Sequence, residues 1–324
     1  MKISEILYTY EDKTRAWPMW NGCTVHLLRG PEKTIMIDTG EVAGRFHHFL
    51  LHRIVHDGLN IKDVTEIWHT HAHIDHVCAD LRVQRVSGAG IYAHPKAVPI
   101  LQDVKNWIQD MLNAMGEDKK FIMNVSPRMF LMGMWFMAGK QPKIPVTGTF
   151  KDGEIRDIGF PVAIKFAPGH SPESVAFFVP SERILFTGDC FDLYNNTRPT
   201  LNNPLSDWAD LRATLEWMIQ KRPSILANGH KWTVVGENQC RAELEKALGF
   251  LDEIKANTLA VLKEGPAGLK EIINRYPLHH LYYTSLERRL TYWCTLRSLE
   301  RLGLVKRRPI YKNGKIKRLT WEYA

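Results

Sequence analysis

Cysteine is scarce in this sequence. There are five in 324 residues (Cys23, Cys78, Cys190, Cys240, Cys294), an odd number with no CxxC pair. That argues against a disulfide framework and for reduced thiols in a cytoplasm. Long apolar runs are missing too. The longest, MFLMGMWFMAG at 129–139, is too short to span a bilayer. The N-terminal MKISEILYTYEDKTRAW has no apolar core of the signal-peptide kind, so neither a membrane span nor a secretory signal is expected. Most of the chain also lacks an excess of either charge. Residues 301–324 hold eight Lys/Arg against the single Glu322, which accounts for seven of the eight formal positive charges. The basic pI is therefore a property of the tail. What remains is ordinary: 44% hydrophobic and 24% charged residues suit a soluble globular protein. A length of 324 residues allows one large domain or two unequal ones.

Against this background one stretch stands out. HTHAHIDH (69–76) packs four of the chain's 14 histidines and an aspartate into eight positions. The preceding DVTEIWHT has the β-branched and aromatic content of a strand, so the cluster falls in the loop at its end. In an extended segment His69, His71 and His73 share a face, and Asp75 and His76 follow as the chain turns. Several imidazoles with a carboxylate close behind are the ligand set of a zinc-type site. A solvated histidine-rich loop is the bland alternative, and it weakens once partners are sought. His170 follows the strand-like VAIKFA in FAPGHSPES, where Pro168 and Gly169 enforce a sharp turn. Asp189 ends the apolar RILFTGDC, and His230 ends SILANGHKW. Each candidate thus sits at the carboxyl end of a β-run, where α/β proteins commonly build sites.

Taken in order, THxHxDH at 70–76, PGH at 168–170, TGD at 187–189 and GH at 229–230 resemble the metallo-β-lactamase superfamily. IMIDTG at 35–40 fits that family's first-hairpin motif, whose aspartate is structural. The resemblance covers about residues 1–250 and implies an αββα sandwich with a two-metal centre along one edge. Carried over by position, it implies that His71, His73 and His170 hold one metal. Asp75, His76 and His230 hold the second, and Asp189 bridges them. Zinc is the default ion, and iron or manganese fits the same ligands. His69 lies outside the pattern and is read as supporting the ligands from behind or as exposed. Two departures matter. DHVCAD stands where many relatives read DHxGG, and Cys78 there is read as a small buried thiol, with approach to the metals as the alternative. SPES follows PGH where glutathione-thioester hydrolases usually carry another histidine. β-Lactam hydrolases of the family commonly have a cysteine at the position of Asp189, which argues against antibiotic hydrolysis.

Between His76 and His170 the chain is longer than a bare sandwich needs. Residues 107–137 hold seven of the eleven methionines, interleaved with Trp107, Phe121, Phe130, Trp135 and Phe136. Helices are expected over 97–115, with Val104, Ile108, Met111, Leu112 and Met115 on one face, and over 127–138. Two readings stay open: a lid that grips an acyl or aromatic group, or a helical hairpin that completes the core or a dimer contact. From 241 a long helical run, which can be read as broken in the middle, leads through further helices to KRRPIYKNGKIKRLTWEY. Asn313-Gly314 there is a hairpin turn.

The resulting expectation is an α/β protein. Residues 1–240 form a metallo-β-lactamase αββα domain, with 96–149 as a Met- and aromatic-rich helical insertion, and 241–324 form a winged-helix-like domain. The activity expected is metal-dependent hydrolysis of an ester, thioester or lactone with an apolar or acyl part. A metal-bridging hydroxide attacks, and Asp75 and Asp189 are the catalytic carboxylates. Three alternatives are kept: a phosphodiesterase or ribonuclease using the basic C-terminal module, a ligand-sensing winged-helix regulator, and an iron oxygenase of the sulfur-oxidising branch. The module's partner is nucleic acid in one reading and a second copy of the chain in the other.

Overall fold

The four apolar runs that end at the candidate ligands all form strands in the computed structural model. It describes residues 1–11, 22–40, 44–123, 143–193, 197–279, 284–312 and 315–324. The first sheet has the order β1 (Leu7–Tyr10), β2 (Val25–Arg29), β3 (Thr34–Ile37), β4 (Val64–Trp68), β5 (Gly90–Ala93), β6 (Gly148–Thr149). Strands β1 to β3 are antiparallel and β3 to β6 parallel. The second sheet contains β7 (Ile155–Asp157), β8 (Pro161–Phe166), β9 (Val175–Val179) and β10 (Ile184–Gly188). After the short ribbon β11 (Phe191–Asp192) and β12 (Arg198–Pro199) come β13 (Ile225–Asn228) and β14 (Val234–Val235). Its spatial order is β14-β13-β10-β9-β8-β7.

Side-chain alternation makes the sandwich. Val175, Phe177 and Val179 of β9 enter the core between the sheets, whereas Ala176 and Phe178 face the outer helices. β3 divides the same way, with Ile35 and Ile37 inside and Met36 outside. Trp68, Phe150 and Phe177 meet at the centre, with ring centroids 5.3–5.7 Å apart. Helices Gly44–His56 and Asp80–Ser87 cover the first sheet through Leu50, Ile54 and Val83. Helices Trp208–Gln220, Glu237–Lys263, Leu269–Arg275 and Ser285–Arg301 cover the second. This is the expected αββα architecture, with helices continuing to the C-terminal hairpin β15 (Val305–Lys312) and β16 (Lys315–Tyr323).

β8 is antiparallel to β9, and β9 to β10, while β10 runs parallel to β13. Strands β8, β10 and β13 therefore point the same way and end on one edge of the sheet. That shared polarity carries His170, Asp189 and His230 to one place.

Several expectations need correction. The helix expected over 97–115 is two helices, Val98–Gln102 and Lys105–Met115. Asp103 separates them in extended conformation (φ −153°, ψ 108°), and its carboxylate accepts the Lys105 N–H at 3.0 Å. Local side-chain bonding of this kind competes with helix propagation. The run from 241 is unbroken, inside the 27-residue helix Glu237–Lys263. The boundary drawn between 240 and 241 falls within that helix. The apolar cluster it belongs to joins Leu185 and Leu226 of the second sheet to Leu244, Leu299 and Trp321. The segment 96–149 ends in β6, a member of the first sheet. The expected helix over 127–138 and the Asn313-Gly314 turn lie outside the described residues, although Lys312 pairs with Lys315 across the hairpin.

Candidate metal centre

The chain leaves β4 at Trp68 and remains non-helical to His73, which caps the short helix Ile74–Val77. Asp75 and His76 thus lie on a helical turn, pointed back toward the end of the sandwich. The expectation that His69, His71 and His73 share a face does not hold. His69 turns away and places Nε2 2.8 Å from Asp80 Oδ2. The strand ends before the cluster, so strict alternation ends with it.

Two glycines admit the other ligands. Gly169, with φ of +137°, lies so near the helix Trp208–Gln220 that a Cβ would fall 2.3 Å from the Leu211 backbone. At Gly229 a Cβ would meet Asp189 Oδ1 at 2.2 Å. The PGH and GH turns are therefore tied to glycine by close approach. Behind His170, its carbonyl accepts from Asn203 Nδ2 at 2.7 Å and Ser206 Oγ at 2.8 Å.

The structure gathers the seven predicted residues into two adjoining groups. His71, His73, His170 and Asp189 form one, and Asp75, His76 and His230 the other. Asp189 reaches both. Its Oδ2 is 3.8 Å from His71 Nε2, 3.8 Å from His170 Nε2 and 3.0 Å from His230 Nε2. Its Oδ1 is 3.4 Å from His76 Nε2. Asp75 Oδ2 lies 3.6 Å from His230 Nε2 and 3.9 Å from His76 Nε2.

A web behind the histidines sets which nitrogen faces inward. Asp38 adopts φ of 55°, a left-handed conformation that aspartate tolerates. It accepts the Thr70 N–H at 2.9 Å and the Thr70 hydroxyl at 2.7 Å, and its Oδ2 is 2.8 Å from His76 Nδ1. His170 Nδ1 faces the Thr200 carbonyl at 3.2 Å and His230 Nδ1 the Gly22 carbonyl at 3.1 Å. Each ring donates outward and leaves Nε2 for the centre. Asp80 accepts the Thr39 hydroxyl at 2.7 Å as well as facing His69. Of the two roles considered for His69 the supporting one is observed, since the residue is fully buried beside Asp38. Cys23 was not anticipated. Its buried Sγ lies 3.4 Å from His76 Nδ1, so it forms a third small group with Asp38 and His76. Cys78 is only half-buried, packed beside Ile74 and Val104.

The donor atoms fit divalent metal ions. His71 Nε2, His73 Nε2, His76 Nε2 and Asp189 Oδ1 are buried without a hydrogen-bond partner. Native proteins rarely leave such groups unsatisfied. Burial and the neighbouring His76 hold the His71 ring well below the ordinary histidine value, so it presents a lone pair. Burial and His170 do the same to His73. Burial opposes ionisation of Asp189, but His230, His76 and His71 beside it win and keep it a carboxylate. Burial likewise opposes charge on His230, yet Asp189 and Asp75 raise it to about 9. Imidazoles converging on carboxylates are the ligand chemistry of zinc, iron or manganese.

Beside the centre lies a cavity of about 290 Å³. The candidate ligands His73, Asp75, His170, Asp189 and His230 line one part. Trp107, Met111, Met115, Met123, Leu286 and Leu290 supply apolar wall. The Trp107 ring centroid is 5.2 Å from that of His73. The described part of the methionine-rich segment thus borders the centre.

Comparison with known proteins agrees with this geometry. Residues 18–230 match the profile of the Metallo-beta-lactamase superfamily. A 121-residue stretch is 30% identical to "Probable metallo-hydrolase YqgX" of Bacillus subtilis (strain 168), over 37% of this chain and 46% of that one. The chain therefore spans about half the length of that relative. The metallo-beta-lactamase family protein TTHA1429 of Thermus thermophilus superposes with a TM-score of 0.70 at 18% identity, covering 98% of each chain. A beta-lactamase domain protein of Burkholderia ambifaria does so with a TM-score of 0.72 at 16% identity, covering 100% of this chain and 94% of that one. At these identities the two structural matches speak for the fold.

Proposed function

The chain belongs to the metallo-beta-lactamase superfamily, and from that premise we propose a binuclear metal-dependent hydrolase that acts on an ester, thioester or lactone with an apolar acyl part. The observation that carries this reading is the place of Asp189, whose two oxygens lie within 3.0–3.8 Å of imidazole nitrogens from both ligand groups. His71, His73 and His170 would hold one ion, Asp75, His76 and His230 the other, and Asp189 both. Two such ions supply an activated water and polarise the carbonyl under attack. Zinc is the ion we favour.

The protein's own residues do the remaining work. Asp38 fixes the tautomer of His76, and the Thr200 carbonyl that of His170. Asp75, partly exposed on the cavity side, is placed to accept a proton from the attacking water and orient it. Trp107 and the methionines around it exclude water from one flank and seat the acyl group. For residues 241–324 we favour a winged-helix-like unit in a structural or dimerising role. Arg307, Arg308 and Arg318 already pair with Asp118, Glu322 and Glu271, which leaves less of the tail's charge for nucleic acid. Among the described residues no helix is long and apolar enough to cross a membrane. All five cysteines are free thiols, in keeping with a reducing cytoplasm.

The test is a substrate panel on protein of measured metal content. It should span aryl esters, thioesters, lactones, bis-aryl phosphodiesters and short RNA. Turnover confined to the carbonyl substrates is expected. Preferential cleavage of phosphodiesters or RNA would replace this reading.

A further inference from the structure

The cavity is lined in part by a segment far along the chain from any ligand motif. Leu286 and Leu290, one turn apart on the helix Ser285–Arg301, line it together with Met115 and Met123. We propose that this C-terminal helix is the specificity wall of the substrate site, and that the group it receives is an uncharged acyl chain of medium length. The proposal rests on the hydrolase reading of the neighbouring centre.

Three observations support it. First, apart from Glu287 the wall is apolar. Met115, Ile122, Met123 and Leu290 belong to one buried cluster, and Leu286 packs against it. The cavity, about 290 Å³, is at the small end of ligand pockets.

Second, the helix is held in place. Thr284 and Glu287 form a capping box at its start, with the Thr284 N–H donating to Glu287 Oε2 at 2.9 Å. The other oxygen, Glu287 Oε1, lies 3.5 Å from Arg198, which also pairs with Asp192 at 3.1 Å. Further along, Trp293 Nε1 donates to Asp118 Oδ2 at 3.0 Å. The wall is therefore fixed to the ribbon β11–β12 on one side and to the segment after Lys105–Met115 on the other. A rigid wall discriminates chain lengths better than a mobile one.

Third, the charges reject an anionic tail. Arg198 is the one guanidinium or ammonium lining the cavity among the described residues, and it sits between the carboxylates of Asp192 and Glu287. A second carboxylate on the substrate would be desolvated beside two carboxylates and a guanidinium already paired with both. A monocarboxylic acyl group therefore fits, and a dicarboxylic one does not.

The experiment uses the metal-loaded full chain with two opposed variants. Leu286→Trp fills the cavity and Leu290→Ala enlarges it. Octanoate and suberate, which share a carbon count but differ by a terminal carboxylate, are the binding probes by calorimetry. p-Nitrophenyl butyrate and octanoate are the turnover probes. Wild type should bind octanoate at least tenfold tighter than suberate. Leu286→Trp should lose at least tenfold in octanoate binding and in octanoate ester kcat/KM, with the butyrate ester within about threefold. Leu290→Ala should shift preference toward the longer ester. A general loss of stability cannot move the two variants in opposite directions. Equal effects on both lengths, or suberate bound as well as octanoate, would overturn the proposal. Selective octanoate binding without turnover of any ester would support the wall and remove the hydrolase reading. Ester turnover indifferent to chain length would do the reverse.

Discussion

Asp38 Oδ2 and His76 Nδ1 lie 2.8 Å apart, both fully buried, and this contact decides which His76 nitrogen faces the centre. The carboxylate holds the Nδ1 proton, so Nε2 points at Asp189. Outer partners of this kind typically change metal affinity or activity about 10–100-fold when lost. Asp38→Ala should lower metal occupancy and kcat/KM within that range. Metal titration followed by an activity assay on the same preparation checks this; unchanged occupancy would reduce Asp38 to a purely structural residue.

Metal count is the next expectation. Elemental analysis should find close to two ions per chain, and Asp189→Ala should lose activity together with at least one ion. A fully active enzyme with a single tightly held ion would overturn the binuclear reading.

Glycine substitutions separate the site from the scaffold. Gly229→Ala puts a methyl 2.2 Å from Asp189 Oδ1 and should reduce activity by about 100-fold, the scale on which a misplacement of about 1 Å acts. Gly249→Ala, exposed on the helix Glu237–Lys263 with nothing within 4 Å of the new methyl, should stabilise the protein by about 0.5–1 kcal/mol and leave activity alone. Thermal melts and rates for the pair give the answer; equal activities would show that the Gly229 turn relaxes freely.

Acidity links the two states of the centre. In the metal-free chain burial opposes protonation of His230, but Asp189 and Asp75 raise it from 6.5 to about 9. The folded value exceeds the unfolded one, so this group's stabilisation is complete below pH 6.5 and is lost as pH rises through 9. A metal needs the unprotonated ring. From pH 6.5 to 9, zinc affinity should therefore rise with proton release, while the His230 contribution to metal-free stability falls. Calorimetry in buffers of different ionisation enthalpy counts the protons, and His230→Ala should lower the count.

Trp321, on the last strand and 1% exposed, lies in the same apolar cluster as Leu226 of the second sheet. Trp321→Ala should cost about 3–5 kcal/mol. Because the cluster is shared, the whole chain should melt lower in one transition. Two transitions, of which only the upper keeps its wild-type midpoint, would mean that the C-terminal helices fold on a core of their own.

The residue types and their order by themselves pointed to the candidate ligands of this protein, which the structure gathers into two adjoining groups. His71, His73, Asp75, His76, His170, Asp189 and His230 each follow a strand or its turn, and strand ends are readable from local β-branched content and from turn glycines. The two-sheet sandwich was implied by the order of those ligand motifs, whereas which face of β9 or β3 each side chain takes is seen only in the fold. Only the tertiary structure decided what stands behind and beside those ligands. His69 meets Asp80 because the chain turns after β4, and Cys23 meets His76 from 53 residues away. Leu286 and Leu290 enter a cavity whose metal side begins at His73, over 200 residues earlier in the chain. Such contacts depend on how helices pack on sheets, a sum of many weak, non-directional burial terms that no local pattern encodes.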